Sequence, residues 1–94
     1  MQAKRMMVLS DSAPTRIEQV GAALYGARRW KRPLSIGLQV SRNTLIAWHE
    51  GTYNSPADLD ERLEAVVARE LEIADEHRDK VARVSEALRG RLGK

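Results

Sequence analysis

The stretch KRPLSIGLQVSRNTLIAWHE, residues 31–50, decides how this chain is read. Pro33 suits the first turn of a helix, where its missing N–H does no harm. Leu34 and Leu38 follow on one face, so a short helix is expected over 33–38. Ser41 is a good N-cap for a further helix over 42–50, with Leu45 and Trp48 inward and Gly51 at its end. Two short helices joined this closely describe a helix-turn-helix, whose helices cross at a steep angle over a tight turn. That geometry requires apolar side chains at fixed places and a small residue where the helices touch. Leu34, Leu38, Val40, Leu45 and Trp48 take the apolar places, and Ser35 takes the small one.

Upstream, Thr15-Arg-Ile-Glu18 fits a capping box, with Pro14 just before it. Ile17, Val20 and Leu24 then mark one helical face, and Gly26 is a plausible stop, so a first helix is expected over 15–25. Between this helix and the motif, Arg28, Arg29, Lys31 and Arg32 surround Trp30, which reads as a cationic loop with the indole turned onto the core. Residues 1–12 show no periodicity and are expected to be a flexible tail, with Met6 or Met7 as an alternative start.

Downstream, Ser55-Pro56-Ala-Asp58 signals another helix start, with a cap, Pro at N1 and an acid near the positive end of the dipole. Nothing but Gly90 interrupts the chain from there to Leu92. Leu59, Leu63 and Val66 form one stripe. Val67, Ala74, Val81 and Leu88 recur every seven residues, with Leu71 and Val84 beside them. The stripe thins across Ala74 to Lys80, so one long helix is the first expectation and two helices with a bend near 75–80 the second. No segment alternates as a strand does. The fold class is therefore all-α: a helix-turn-helix region over 13–54 and a helical extension over 55–94.

Composition narrows the function. The chain has 94 residues, no cysteine and a net charge of +3. Disulfides and thiolate metal sites are excluded, and His49 and His77 make no metal-ligand pattern. No apolar run approaches the ~20 residues of a membrane span, and Met6–Leu9 is too short for a secretory signal. The expected location is cytoplasmic and nucleoid-associated. Charge is uneven. Residues 1–54 carry eight Lys/Arg against three Asp/Glu, whereas residues 55–94 carry eight against ten. The basic first half points to a polyanion such as nucleic acid, and the mixed second half to a solvated helix surface.

The run LSIGLQVSRNTLIAWHEG resembles the Leu-Ala-x-x-Leu-Gly-Val-Ser-x-x-Thr-[Val/Ile]-x-x-Trp-x-x-Gly run of the Cro/repressor-type (XRE-like) helix-turn-helix regulators. The preceding ALYGARRWKRP is similar to the approach found in small phage and prophage-encoded members. The resemblance covers about 13–54. It implies a lambda-repressor-like bundle, here with a long C-terminal helix or helix pair. Two departures stand out. The family usually has Gly in the turn, in the left-handed conformation, where this chain has Gln39 at a cost of roughly 1 kcal/mol. It also usually has Ala where Ser35 stands.

A recognition helix aims polar side chains from its N-terminal end at base edges in the major groove. Arg42 can bond guanine O6 and N7, and Asn43 adenine N6 and N7. Ser41, Ile46 and Ala47 complete the expected base-facing set, the last two against thymine methyls. Arg28, Arg29, Lys31, Arg32, Thr44, His49 and Tyr53 are the expected phosphate contacts. Leu63, Val67, Leu71, Ala74, Val81, Val84 and Leu88 are the expected dimer interface, since a seven-residue stripe needs a partner surface. The reading is a sequence-specific regulator of transcription, a dimeric repressor or autoregulator on an inverted repeat of double-stranded DNA, without cofactor or metal. The alternative is an adaptor or antitoxin-type protein whose C-terminal helix binds a partner protein. An enzyme is disfavoured, because no nucleophile–base pair, metal constellation or phosphate loop is present.

Overall fold

The computed structural model describes residues 7–93, and these form four helices and no strand: α1 (Ala13–Tyr25), α2 (Lys31–Leu38), α3 (Arg42–Glu50) and α4 (Leu59–Leu92). The all-α expectation holds. The helix boundaries depart from the sequence signals in three places, each for a local reason.

α1 starts two residues early. Ser12, not Thr15, is the cap, and its Oγ accepts from the Thr15 N–H at 3.5 Å. Pro14 falls in the first turn, where the helix needs no N–H from it, so the helix can begin ahead of it. α2 likewise begins at Lys31, with Pro33 inside its first turn and the Trp30 carbonyl accepting from Leu34 N–H at 3.0 Å. α4 begins late. Pro56 does not open the helix; its carbonyl accepts from Leu59 N–H at 3.1 Å, closing a turn that delivers Leu59 to the core. The Asp58 carboxylate takes Arg62 Nε at 3.0 Å instead of capping the helix.

From Leu59 to Leu92 α4 is one uninterrupted helix, so the bend near 75–80 does not occur. The residues that thin the stripe there are polar but not helix breakers: Asp75, Glu76, His77, Arg78, Asp79 and Lys80 include no Gly or Pro. At about 1.5 Å per residue the 34-residue helix is roughly 50 Å long.

The core is a single cluster of Ile17 and Val20 from α1, Trp30 at the mouth of α2, Leu34 and Leu38 from α2, Leu45 from α3, and Leu59, Leu63 and Val66 from α4. Val40, Trp48, Leu24 and Val67 pack half-buried against it. Trp30 is 4% exposed and so lies in the core, as the usual burial of tryptophan predicts despite the four cations around it. It sits across Gly21: a methyl added there would lie 2.8 Å from the Trp30 Cδ2. Gly37 plays the same part between α2 and α4, with a methyl there 3.2 Å from the Val66 Cγ1.

The flexible-tail expectation for residues 1–6 lies outside the described residues. Residues 8–12 are tied down. The Gln19 side chain accepts from Ser10 N–H at 2.8 Å and donates to the Val8 carbonyl at 3.1 Å. Arg16 donates to the carbonyls of Ser10 and Asp11 and pairs with Asp60 at 2.9 Å, fastening this segment and α1 to the start of α4.

Candidate nucleic-acid interface

The turn between α2 and α3 is built by one residue in a rare conformation. Gln39 has φ 62° and ψ 39°, and it is the one non-glycine residue with positive φ among those described. L-residues pay roughly 1–2 kcal/mol for this left-handed geometry. Two backbone bonds oppose that cost: Gln39 N–H to the Ile36 carbonyl and Val40 N–H to the Ser35 carbonyl, both 3.0 Å. They satisfy carbonyls that the helix end leaves open. The chain then re-enters helix at once. Ser41 is extended, and its Oγ accepts from Thr44 N–H at 3.0 Å while its hydroxyl donates to Thr44 Oγ1 at 2.8 Å. Leu45, fully buried, anchors α3 to the core, and Ser35, 3% exposed, makes room where α2 meets its neighbours. The Ser35 hydroxyl is satisfied by the Arg32 carbonyl at 2.7 Å.

With Leu45 turned inward, the first turn of α3 faces out. Arg42 and Asn43 are exposed, and Ile46 and Ala47 are half-exposed one turn on. Two concavities flank the helix. One, of about 1190 Å³, is lined by Ala27–Pro33 together with Arg42, His49 and the acidic Glu18 among others, so Arg28, Arg29, Lys31, Arg32 and Arg42 all border the same hollow. The other, of about 280 Å³, lies between Asn43, Thr44, Ala47, Trp48 and Tyr53. Tyr53 is 70% exposed at its rim. Among the described residues, Arg28, Arg29, Arg32 and Arg42 form no ion pair, so their charge is not spent within the fold. Lys31 differs from them: its Nζ sits 5.8 Å from the Trp30 ring centroid, a cation–π distance.

His49 lines the larger hollow too, but its ring is engaged within the fold. Its Nε2 lies 3.0 Å from Glu18 Oε1, and its ring meets Trp30 edge-on at 4.9 Å and 86°. Nδ1 is buried without a hydrogen-bond partner among the described residues. His49 thus joins α1 to α3 beside the cationic loop. Glu18, read as the closing residue of a capping box, is its partner in that junction.

The expected dimer residues divide in two. Leu63 is a correction: it is 4% exposed and belongs to the chain's own core, because the first turns of α4 lie against α2. Val67 is half-buried beside it. Leu71, Ala74, Val81, Val84 and Leu88 are exposed.

Several structural residues escaped the sequence reading. Gly21, in mid-helix, signals close approach of another group, and that group is Trp30. Tyr25 and Glu70 are 45 positions apart, and no local pattern links them, yet the Tyr25 hydroxyl donates to Glu70 Oε2 at 2.6 Å. Burial, then the bond to the Glu70 carboxylate and its charge, push the Tyr25 hydroxyl up to about 12.

No family model, curated protein or solved structure matches the chain. Among the described residues no three metal-capable side chains gather, and no helix is long and apolar enough to cross a membrane.

Proposed function

We propose that this chain is a sequence-specific DNA-binding regulator that lays α3 in the major groove, a repressor or autoregulator acting on an inverted repeat. One observation carries the reading. The exposed N-terminal turn of α3, with Arg42 and Asn43, stands between a hollow bordered by five cations and a second hollow at Tyr53. A duplex presents the same layout in complement: base edges on the floor of a groove and phosphates along both walls. Arg42 and Asn43 read bases. Arg28, Arg29 and Arg32 meet one phosphate wall, and Tyr53 reaches the other. Ser41 and Thr44 hold the helix end in place, since their hydroxyls are engaged with each other. The resemblance of residues 13–54 to Cro/repressor-type regulators supports the same assignment, and a nucleoid-associated location follows from it. The function is binding, not catalysis.

The test is a gel shift on the DNA flanking the chain's own coding sequence, with nonspecific competitor and a salt titration. Saturable, selective binding with a steep salt slope is expected. Arg42→Ala should cost ~1–3 kcal/mol and relax preference at one base position. Arg32→Ala should weaken binding to all sequences and lower the salt slope by about 1. Weak, unselective binding by the intact chain overturns the proposal. It would favour the adaptor reading, to which the exposed apolar face of α4 lends its own support.

A further inference from the structure

The buried residues of α4 set a spacing that the rest of the helix keeps. Leu59, Leu63 and Val66 face the core. Steps of eleven residues from these three reach Glu70, Ala74 and His77, then Val81, Ser85 and Leu88, and finally Leu92. Eleven residues in three turns is 3.67 per turn, so on a helix of 3.6 residues per turn such a face shifts by about 20° in eleven residues, more gently per residue than a seven-residue stripe and with the opposite hand. The face that roots α4 in the bundle therefore continues, with a gradual turn of about 60° over the three steps from Leu59 to Leu92, past the point where the bundle ends. Beyond it Ile73, Val81, Val84, Leu88 and Leu92 are 48%, 52%, 59%, 53% and 83% exposed. The last four border an open apolar hollow of about 660 Å³ toward the end of the helix.

Charge along this projecting segment is segregated. Residues 70–79 carry five Asp/Glu and one Arg, and residues 80–93 carry four Lys/Arg and one Glu. A parallel partner of the same sequence would set acid against acid and base against base. An antiparallel one sets each acidic half along a basic half. We infer that the projecting part of α4 pairs antiparallel with α4 of a second copy, centred near Val81. In that register Val81 meets its own copy, small Ala74 faces Leu88 and His77 faces Ser85. The flanking Asp75 comes alongside Arg89, the nearest opposite charge on the same flank. The seam over 70–92 is roughly 33 Å long at about 1.5 Å per residue. Glu70, at its edge, is already engaged by Tyr25.

The inference concerns association alone and stands independently of the DNA reading, so its test needs no DNA. Sedimentation equilibrium of the full chain should show a dimer at micromolar concentration; a monomer overturns the proposal. Orientation is read by cross-linking, which the cysteine-free sequence makes clean. Ala74→Cys and Leu88→Cys chains, mixed and mildly oxidised, should give the mixed 74–88 product. Little 74–74 product should form, because those positions lie about 20 Å apart along an antiparallel pair. A dominant 74–74 product means a parallel pair and overturns it. Val81→Asp, at an exposed position that leaves the monomer's helix content intact, should weaken association about 100-fold by burying two like charges at the centre. Asp75→Arg should also weaken it, and adding Arg89→Asp should restore it. Failure of the double variant to recover sinks the register.

Discussion

α4 is one helix with one apolar face, yet its two parts live in different environments. Leu59, Leu63 and Val66 are 2%, 4% and 4% exposed, while Val81, Val84 and Leu88 on the same face are about half exposed. Side-chain chemistry does not separate the two groups; what differs is whether the chain folds something against them. The first part is walled by α1 and α2, through contacts such as Gly37 against Val66, Arg16 to Asp60 and Tyr25 to Glu70. Among the described residues the second has no wall. An amphipathic stripe reports that a surface will be covered, but not by what, and only tertiary placement tells core from interface.

Truncation breaks this comparison most severely. A chain ending at Ser55 loses Leu59, Leu63 and Val66 from a nine-residue core, and it should not fold cooperatively. A chain ending at Ile73 keeps them, together with the Glu70 anchor, and should retain a cooperative melt as a monomer. Circular dichroism with thermal denaturation decides it. A folded chain ending at Ser55 would place the core wrongly.

Next in size is a matched pair of point changes. Leu34, fully buried, should lose ~2–5 kcal/mol on replacement by Ala, the range for an apolar side chain removed from a core. Val81→Ala, in the monomeric range of concentration, should stay within about 0.5 kcal/mol. Urea unfolding reads both, and equal losses would mean that the projecting segment is packed within the monomer. Gly21→Ala comes third. In an open helix Ala would stabilise by up to ~1 kcal/mol. Here the added methyl meets the face of Trp30, and a net loss of ~1–3 kcal/mol is expected from overpacking. A stabilised variant would show that Trp30 does not lie across α1.

Much of this was legible before the structure. The α3 boundaries follow from Ser41 and Gly51, strong and local signals at both ends. Gln39 stands at the place where the resemblance expects glycine, and its positive φ shows that the backbone there is left-handed. Leu34, Ser35, Leu38 and Leu45 were assigned inward by spacing, and all four are buried. The failures share a cause. Thr15 and Pro56 satisfy start patterns, but Ser12 can cap as well, and a Pro carbonyl can close a turn as readily as a Pro ring can open a helix. Leu63 could not be moved from interface to core, because nothing local reveals where the bundle ends along a continuous stripe. At the candidate site, the exposure of Arg42 and Asn43 follows from their distance to the cap. The tie of His49 to Glu18 follows from nothing local, since it depends on how α1 crosses α3.

The smallest effect tests the boundary itself. Among the described residues, Tyr25 to Glu70 is the last bond between the bundle and α4 before the helix projects. The Tyr25 hydroxyl, ordinarily near 10, is held up to about 12 because the phenolate would be partly buried and would face the Glu70 carboxylate. The folded chain therefore binds this proton more tightly than the unfolded chain does. The bond's contribution is complete below pH 10 and is lost as pH rises towards 12. Tyr25→Phe removes the bond and leaves the ring, so at neutral pH it should cost about 0.5–1 kcal/mol, the low end for a half-exposed hydrogen bond. Other groups titrate in the same alkaline window, so the useful quantity is the difference between the two chains. Urea unfolding at pH 8 and pH 11 should show the parent losing its advantage over Tyr25→Phe at the higher value. Lysines and arginines, common to both chains, cancel. A pH-independent gap would mean that Glu70 does not hold the Tyr25 proton. The rooted part of α4 would then end at Val66, one turn earlier.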